Sequence, residues 1–128
     1  MKTPIYTSDA SEPGGFYSQA VRAGEMLFIS GQLPLEPGGD PVNGSATEQT
    51  IRAMKNVQAI LKAAGADLSE LVQVTIYVSN IDLWPEVDAA YRQFMSGVPV
   101  PPARAVVPVN TPLHFDTDIE IQATAYLD

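Results

Sequence analysis

The segment Leu71-Val-Gln-Val-Thr-Ile-Tyr-Val-Ser79 lies between two stretches of helical periodicity, and its pattern decides the fold. Apolar residues alternate along it with polar or aromatic ones: Val72, Val74, Ile76 and Val78 against Gln73, Thr75 and Tyr77. A period of two residues is typical of a strand with one buried face. The segment is therefore predicted to be a half-buried strand that separates two helices.

The two flanking helices have clear start and stop signals. The first begins at Ser45-Ala-Thr-Glu48, which has the spacing of a capping box, and ends at Gly65. The second begins near Trp84-Pro85, where proline suits the first helical turn, and ends before Gly97. The second helix carries an apolar stripe that is predicted to be core: Trp84, Val87, Tyr91, Phe94 and Met95.

Strand-like patterns occupy much of the remaining chain, at residues 19–22, 26–33, 104–109 and 118–127. The predicted order is two or three strands, a helix, a strand, a helix and two strands. This order predicts an α+β domain with two helices packed on one face of a mixed β-sheet. A chain of 128 residues, 45% of them hydrophobic, suits one domain that extends over residues 1–128.

The sheet face away from the helices has a mixed composition. In the last strand Ile119, Ile121, Ala123 and Ala125 form the helix-facing row, which leaves the other row to Glu120, Gln122, Thr124 and Tyr126. Met26 and Phe28 are predicted to lie on the same reverse side. Such a mixture suits neither a dry core nor open water, so we expect this face to pack against other copies of the chain in an oligomer.

Composition excludes several classes of function. With a formal charge of −8 and only seven lysines and arginines, the chain has no basic stripe that could bind a nucleic-acid backbone. The absence of cysteine excludes disulfides, thiolate nucleophiles and thiolate metal sites. No apolar run resembles a signal peptide or a membrane span. We therefore expect a soluble, cytoplasmic protein without a nucleic-acid or membrane partner.

Arg104 is isolated in the sequence. Between Arg92 and Asp116 it is the only formally charged side chain, and it lies among prolines, alanines and valines. Because an uncompensated guanidinium in an apolar setting is costly, Arg104 must meet an anion that lies elsewhere. That anion is either a distant carboxylate of the chain or a ligand. Among ligands, small carboxylates come first, since the planar guanidinium binds them through two parallel hydrogen bonds.

Few other residues offer chemistry. The single histidine, His114, has no serine motif beside it, so we expect it to be structural. A metal site would combine His114 with Asp116, Asp118 and Glu120, but this run is not a specific ligand pattern. Asp116 and Asp118 are expected to be turn or strand-edge acids. We expect neither a metal nor an organic cofactor.

Four segments form an ordered set along the chain: Gly15-Phe-Tyr-Ser-Gln-Ala20, Ser30-Gly-Gln32, Pro102-Ala-Arg104 and Ile119-Glu-Ile121. In order and spacing this set resembles the RidA (YjgF/UK114) family of reactive-intermediate deaminases, over nearly the whole chain. The resemblance implies a chorismate-mutase-like fold and a homotrimer whose sheets form a barrel, with active sites in the clefts between subunits. It also implies hydrolysis of 2-imino acids of the 2-iminopropanoate or 2-iminobutanoate type, formed from enamines such as 2-aminoacrylate, to 2-oxo acids and ammonia.

The resemblance also implies roles for individual residues. Arg104 would bind the substrate carboxylate, and Glu120 would position or activate the attacking water. Glu120 has an alternative role as the internal partner of Arg104 in the empty enzyme. Tyr17 would line the pocket from an N-terminal loop, while Ser30 and Gly31 would supply a hydroxyl and backbone contacts.

The chain departs from the family pattern at four positions. Phe16 stands where proline is usual, and Gln122 stands where a second glutamate is common. Val106 replaces the cysteine of some members, which matters little if that contact is made by backbone. Asp88 stands near the site where many members have asparagine, and its negative charge would weaken the binding of an anionic substrate.

Two other functions are compatible with this sequence. One is a regulatory trimer that binds 2-oxo acids in the same cleft without catalysis. The other is an endoribonuclease, a description attached to some relatives. The second has little support, because the negative net charge and the lack of an arginine, lysine and aromatic track leave no surface that would hold RNA.

Overall fold

The computed structural model describes residues 1–128, which form one six-stranded β-sheet with two α-helices against one of its faces. The strands are β1 (Thr3–Ile5), β2 (Ala20–Ala23), β3 (Met26–Gln32), β4 (Leu71–Val78), β5 (Ala103–Pro108) and β6 (Ile119–Tyr126). The helices are α1 (Ala46–Ala63) and α2 (Trp84–Phe94). The order across the sheet is β1-β2-β3-β6-β4-β5, and only β4 and β5 pair in parallel. The predicted mixed α+β sheet is therefore confirmed.

Local signals determine where the helices begin. Ser45 caps α1 by accepting a hydrogen bond from the Glu48 backbone N–H at 3.1 Å, and Glu48 Oε1 accepts one from the Ser45 N–H at 3.2 Å. This is the capping box predicted from the sequence. In α2, Pro85 lies in the first turn, where a missing N–H costs nothing.

The hydrophobic core fills the space between the helices and the sheet. Its sheet side consists of the predicted helix-facing residues, which include Leu27, Ile29, Val74, Ile76, Ile119 and Ile121, none more than 2% exposed. The α1 side includes Met54, Val57, Ile60 and Leu61, all fully buried. Each such aliphatic side chain contributes about 1.5–3 kcal/mol relative to its exposed state.

β1 forms a separate short strand that pairs with β2, so the three-strand version of the predicted order is correct. The structure differs from the sequence prediction at Val72. Val72, which the alternation placed with the buried residues, is exposed. The register with β6 shifts between Leu71 and Gln73, and Leu71 takes the buried position instead. A β-bulge of this kind inserts one extra residue and so reverses the alternation.

The face of the sheet away from the helices, called the reverse face below, has no element packed on it. Phe28 of β3 is 50% exposed there, and Tyr126 of β6 is 45% exposed. At one margin of the sheet, β5 pairs only with β4, so its outer backbone groups have no strand partner. Neither α-helix combines the length and the apolar composition that a membrane-spanning segment requires.

Candidate functional site

A cleft of about 630 Å³ lies beside the reverse face, between β6 and the loop that precedes β2. Its lining includes the predicted site residues Tyr17, Ser30, Gly31 and Glu120. Only 4 of its 17 lining residues are hydrophobic, so the cleft suits a small polar ligand better than an apolar one. The structure thus brings four of the residues named by the resemblance into one place.

Gly31 provides the space in which the Glu120 carboxyl group lies. A Cβ at position 31 would lie 2.9 Å from Cδ of Glu120 and closer still to Oε2, so the Glu120 carboxyl group would have to move to make room for it. The register of β3 with β6 also shifts between Ile29 and Gln32, so Ser30 and Gly31 form a bulge opposite this carboxylate. A bulge beside a functional group re-aims the local backbone, and here it places Gly31 against Glu120.

Glu120 lies in an environment that disfavours its charged form. It is partly buried, and burial raises the pKa of its carboxyl group above the usual value, while the charge of nearby His114 acts in the opposite direction. No hydrogen bond from the protein contributes to this shift. A carboxyl group in this state can both take up and return a proton closer to neutral pH than an exposed one.

Gln19 fixes the loop that forms the outer wall of the cleft. Its side-chain Nε2 donates to the carbonyls of Thr7 and Ser11, both at 3.0 Å, and its Oε1 accepts from the Thr7 N–H at 2.7 Å. Gln19 is only 2% exposed, so these bonds satisfy a buried amide. Sequence reasoning included Gln19 only as part of a motif and missed this role, which depends on contacts up to 12 residues away.

Tyr17 and Ser30 are already engaged within this wall. The Tyr17 hydroxyl accepts a hydrogen bond from the Gly14 N–H at 3.2 Å, and the residue is exposed. The Ser30 hydroxyl donates to the Ser18 carbonyl at 2.7 Å. Ser30 Oγ can therefore still accept a hydrogen bond from a ligand, and the Tyr17 hydroxyl can still donate one.

The far rim of the cleft is a tight turn at His114–Asp116. Phe115 and Asp116 have φ angles of 62° and 55°, a left-handed conformation that non-glycine residues adopt rarely. Thr117 holds the turn by donating its hydroxyl to the His114 carbonyl at 2.8 Å. His114, expected to be structural, is exposed on this rim rather than buried. Sequence reasoning also did not identify Phe115 as part of the cleft.

Arg104 lies in a different place, on the helix-facing side of β5. Its guanidinium carbon lies 4.8 Å from the ring centre of Trp84 and 5.1 Å from that of Tyr91. Its Nη1 donates to Asp88 Oδ1 at 2.9 Å. Trp84, Asp88 and Tyr91 are at positions i, i+4 and i+7 of α2, so one face of the helix holds this guanidinium.

Asp88 is shared between two arginines. Besides its bond to Arg104, its Oδ2 accepts from Arg92 Nη2 at 3.1 Å. Burial acts to raise the pKa of Asp88, but the hydrogen bonds and charges of Arg104 and Arg92 outweigh it and hold the pKa below the usual value. Asp88 therefore carries a negative charge at neutral pH. We call Asp88, Arg92 and Arg104 together the arginine cluster.

Within one chain the partner of Arg104 is thus Asp88, and Glu120, the alternative partner, does not contact Arg104 there. Strand register shows why. Arg104 pairs with Val74, a buried helix-facing residue, whereas Glu120 pairs with Tyr77 on the reverse side. The two residues predicted to be catalytic lie on opposite faces of the sheet within one chain.

The structure also places the remaining candidate positions. Val106 is two residues after Arg104 on the same side of β5 and is partly buried against the core, so only its backbone can face outward along the strand edge. Gln122 lines the Glu120 cleft. Phe16 is fully exposed on the loop beside Tyr17. Trp84, predicted to be core, packs against the core but is only partly buried, and the Arg104 guanidinium lies over its ring.

The acidic run near the C-terminus forms no metal-binding group. No three histidine or acidic side chains in the structure come together as metal ligands. Asp118 instead joins α1 to the sheet: it accepts hydrogen bonds from Gln49 Nε2 at 3.0 Å and from the Ser79 hydroxyl at 2.7 Å. This agrees with the expected strand-edge role of Asp118.

Comparisons with known proteins give a consistent result. The protein-family model described as endoribonuclease L-PSP matches residues 7–127. The RutC family protein PH0854 of Pyrococcus horikoshii is 39% identical over 127 residues, which are 98% of each chain. Two solved structures superpose closely. They are YyfA of Yersinia pestis, from the Rid protein family (34% identity, TM-score 0.94, 99% and 100% of the two chains), and Escherichia coli TdcF with bound serine (29% identity, TM-score 0.93, 98% and 99%).

The family model matches nearly the whole chain, and the relatives found by sequence and by structure agree with this match. The chain belongs to the RidA/YjgF family.

Proposed function

We propose that this protein is a deaminase that hydrolyses small 2-imino acids to 2-oxo acids and ammonia. The observation that carries the proposal is the state of Arg104. Its guanidinium is stacked on two aromatic rings and held at Nη1 by Asp88, which leaves Nε and Nη2 free to bind a carboxylate. Support also comes from TdcF, a relative with bound serine, because serine is a small acid with nitrogen on C2.

We also propose that each active site forms between two copies of the chain in a homotrimer. Because Arg104 and Glu120 lie on opposite faces of the sheet, one chain alone does not present both to a small ligand. The uncovered reverse face, with Phe28 and Tyr126 exposed, and the unpaired edge of β5 are surfaces that a second copy would cover. In this arrangement the Glu120 cleft of one copy meets the arginine cluster of the next.

The proposed reaction requires only two kinds of group from the protein, one that binds the carboxylate and one that transfers a proton. Arg104 binds the carboxylate of the protonated imine, and a water oxygen adds to C2 while the C=N π electrons move to nitrogen. Glu120 takes a proton from that water and returns it to nitrogen. The hydroxyl electrons then form the C=O bond, the C–N bond breaks, and ammonia leaves with the hydroxyl proton as ammonium. Orientation and proton transfer supply the acceleration, and no cofactor takes part.

A coupled assay tests the activity. A lyase that releases 2-aminoacrylate generates the substrate in place, and loss of the imine is followed with and without this protein. We expect acceleration by the wild type and none by Arg104→Ala. Arg22→Ala is the matched control, because Arg22 is exposed on β2 and bonds only to the Gly24 carbonyl. Equal rates for wild type and Arg104→Ala, or no acceleration at all, would contradict the proposal.

Mixing two inactive variants tests the shared site. Arg104→Ala keeps an intact Glu120 cleft, and Glu120→Ala keeps an intact arginine cluster. If the two are unfolded and refolded together, a trimer of random composition restores about a quarter of the wild-type sites. Activity that stays at the level of the separate variants, or a monomer by light scattering, would show that each chain works alone.

The same experiments separate the alternatives. Oxo-acid binding without any deaminase rate would favour a regulatory protein. Ribonuclease activity would require RNA cleavage that survives purification and is lost in Glu120→Ala. The net charge of −8 argues against it, because RNA binding depends on neutralising phosphates.

A further inference from the structure

In the arginine cluster, the negatively charged Asp88 carboxylate is bonded to the Arg104 guanidinium, the group that is proposed to bind the substrate carboxylate. Asp88 Oδ1 lies 2.9 Å from Arg104 Nη1, and the side chains of Arg104 and Asp88 are only 30% and 22% exposed. Arg92 binds the other oxygen of Asp88, but its side chain is 81% exposed. Because solvent screens an exposed pair strongly, Arg92 compensates only part of the charge of Asp88.

A carboxylate bound to the free Nε and Nη2 of Arg104 would therefore share one guanidinium with Asp88. Two like charges on one cation repel each other across a few ångströms, in a setting that is only partly open to water. The cation cannot move away from Asp88 easily, because the rings of Trp84 and Tyr91 hold it at 4.8 and 5.1 Å. A purely anionic ligand therefore binds more weakly than Arg104 alone would allow.

A ligand with a positive nitrogen next to its carboxylate experiences Asp88 differently. Its net charge is zero, so attraction between Asp88 and the nitrogen offsets repulsion between the two carboxylates. In the proposed reaction the substrate is such a zwitterion, a protonated imine with a carboxylate. The product 2-oxo acid keeps the carboxylate and has lost the nitrogen.

We propose that Asp88 is a specificity-determining residue that makes the Arg104 site prefer zwitterionic 2-imino and 2-amino acids over anionic 2-oxo acids. This inference rests on the proposed function. Within that function, Asp88 favours the release of the 2-oxo acid product. From the sequence, the negative charge of Asp88 was expected only to weaken substrate binding. In this proposal it mainly weakens the binding of the product.

The site contains its own reporter for a binding experiment. Trp84 is the only tryptophan of the chain and lies against the Arg104 guanidinium. Its fluorescence, with calorimetry as a second measurement, reports titrations with pyruvate as the anion and L-serine as the zwitterion. The variants are Asp88→Asn and the control Asp82→Asn, the same change at an exposed acid just before α2.

We expect Asp88→Asn to bind pyruvate on the order of tenfold more tightly, with the affinity for L-serine changed by less than about twofold. Asp82→Asn should match the wild type for both ligands. Arg92→Ala should shift in the opposite direction and weaken pyruvate binding by up to about twofold, which provides a second test should Asp88→Asn fold poorly. An equal change for the two ligands in Asp88→Asn, or an unchanged pyruvate affinity, would overturn the inference.

Arg104→Ala separates this failure from that of the proposed function. Loss of pyruvate binding in Arg104→Ala, with no change of preference in Asp88→Asn, would overturn the role of Asp88 alone. Pyruvate binding that survives in Arg104→Ala would contradict the proposed carboxylate site itself, and the inference about Asp88 with it.

Discussion

The arginine cluster stabilises the charge of Arg104, whereas the Glu120 cleft destabilises the charge of Glu120. Arg104 has an ion-pair partner and two aromatic rings around it, all supplied by one face of α2. Glu120 lies in partly buried surroundings with no hydrogen bond that stabilises its charge, and burial raises its pKa. This difference fits the two roles proposed above. A residue that binds a carboxylate must keep its charge and its orientation, whereas a residue that exchanges protons needs a charged form that is less stable than usual.

The largest expected effect comes from replacing the planar guanidinium of residue 104 by another group of the same charge. Arg104→Lys keeps the cation but loses the planar fork, so the carboxylate is no longer held in two hydrogen bonds. We expect kcat/KM for imine hydrolysis to fall about 100-fold, measured in the lyase-coupled assay. A lysine variant within about threefold of the wild type would show that charge alone is sufficient.

The next effect tests the space that Glu120 needs. Gly31→Ala puts a methyl group where the Glu120 carboxyl lies, so that carboxyl must move and activity should fall at least about tenfold. Gly38→Ala is the control, because a Cβ there meets nothing within 4 Å. Equal activity of the two variants would show that the position of Glu120 is not critical.

A third prediction concerns pH. The raised pKa of Glu120 means that the folded state binds this proton more tightly than the unfolded chain does. The free energy of unfolding of the wild type, relative to Glu120→Gln, should therefore be greatest at acidic pH and fall as pH rises through the folded-state pKa. Urea denaturation across the acidic and neutral range measures this difference. A difference that grows with pH would mean that the folded protein stabilises the charged carboxylate of Glu120 and does not destabilise it.

The smallest effect should come from the exposed arm of the arginine cluster. Arg92→Ala removes a surface ion pair within one helix turn, so the free energy of unfolding should change by less than about 0.5 kcal/mol. Thermal denaturation checks this. A loss of more than about 1 kcal/mol would show that Arg92 supports the fold and not only the charge balance at Arg104.

The contrast between these two regions also explains which features could be predicted from the sequence. Helix starts and the buried rows of strands depend on neighbours a few residues away, and the capping box at Ser45 was predicted correctly. Val72 was placed wrongly because a bulge depends on the partner strand. The isolation of Arg104 predicted that it needs an anion, but not that the anion is Asp88. That pairing depends on the placement of α2 beside β5, which no local pattern encodes.

The site shows the same division. Arg104, Glu120, Gly31, Ser30 and Tyr17 are candidate site residues on the strength of motifs that resemble a family. The packing of Glu120 against Gly31 and the stacking of Trp84 under Arg104 follow from strand register and helix placement. The strained turn at Phe115 carries no sequence signal, since neither phenylalanine nor aspartate favours positive φ in the way that glycine does.

The outer edge of β5 has a consequence for the behaviour of the protein at high concentration. An unpaired strand edge is a template on which foreign strands can grow into fibrils. Here Pro101 and Pro102 precede the six-residue strand, and Pro108 is its last residue. Proline cannot donate to a strand ladder, so an added strand finds only a short run of usable backbone groups. The prolines thus limit the backbone groups that this edge offers to an added foreign strand.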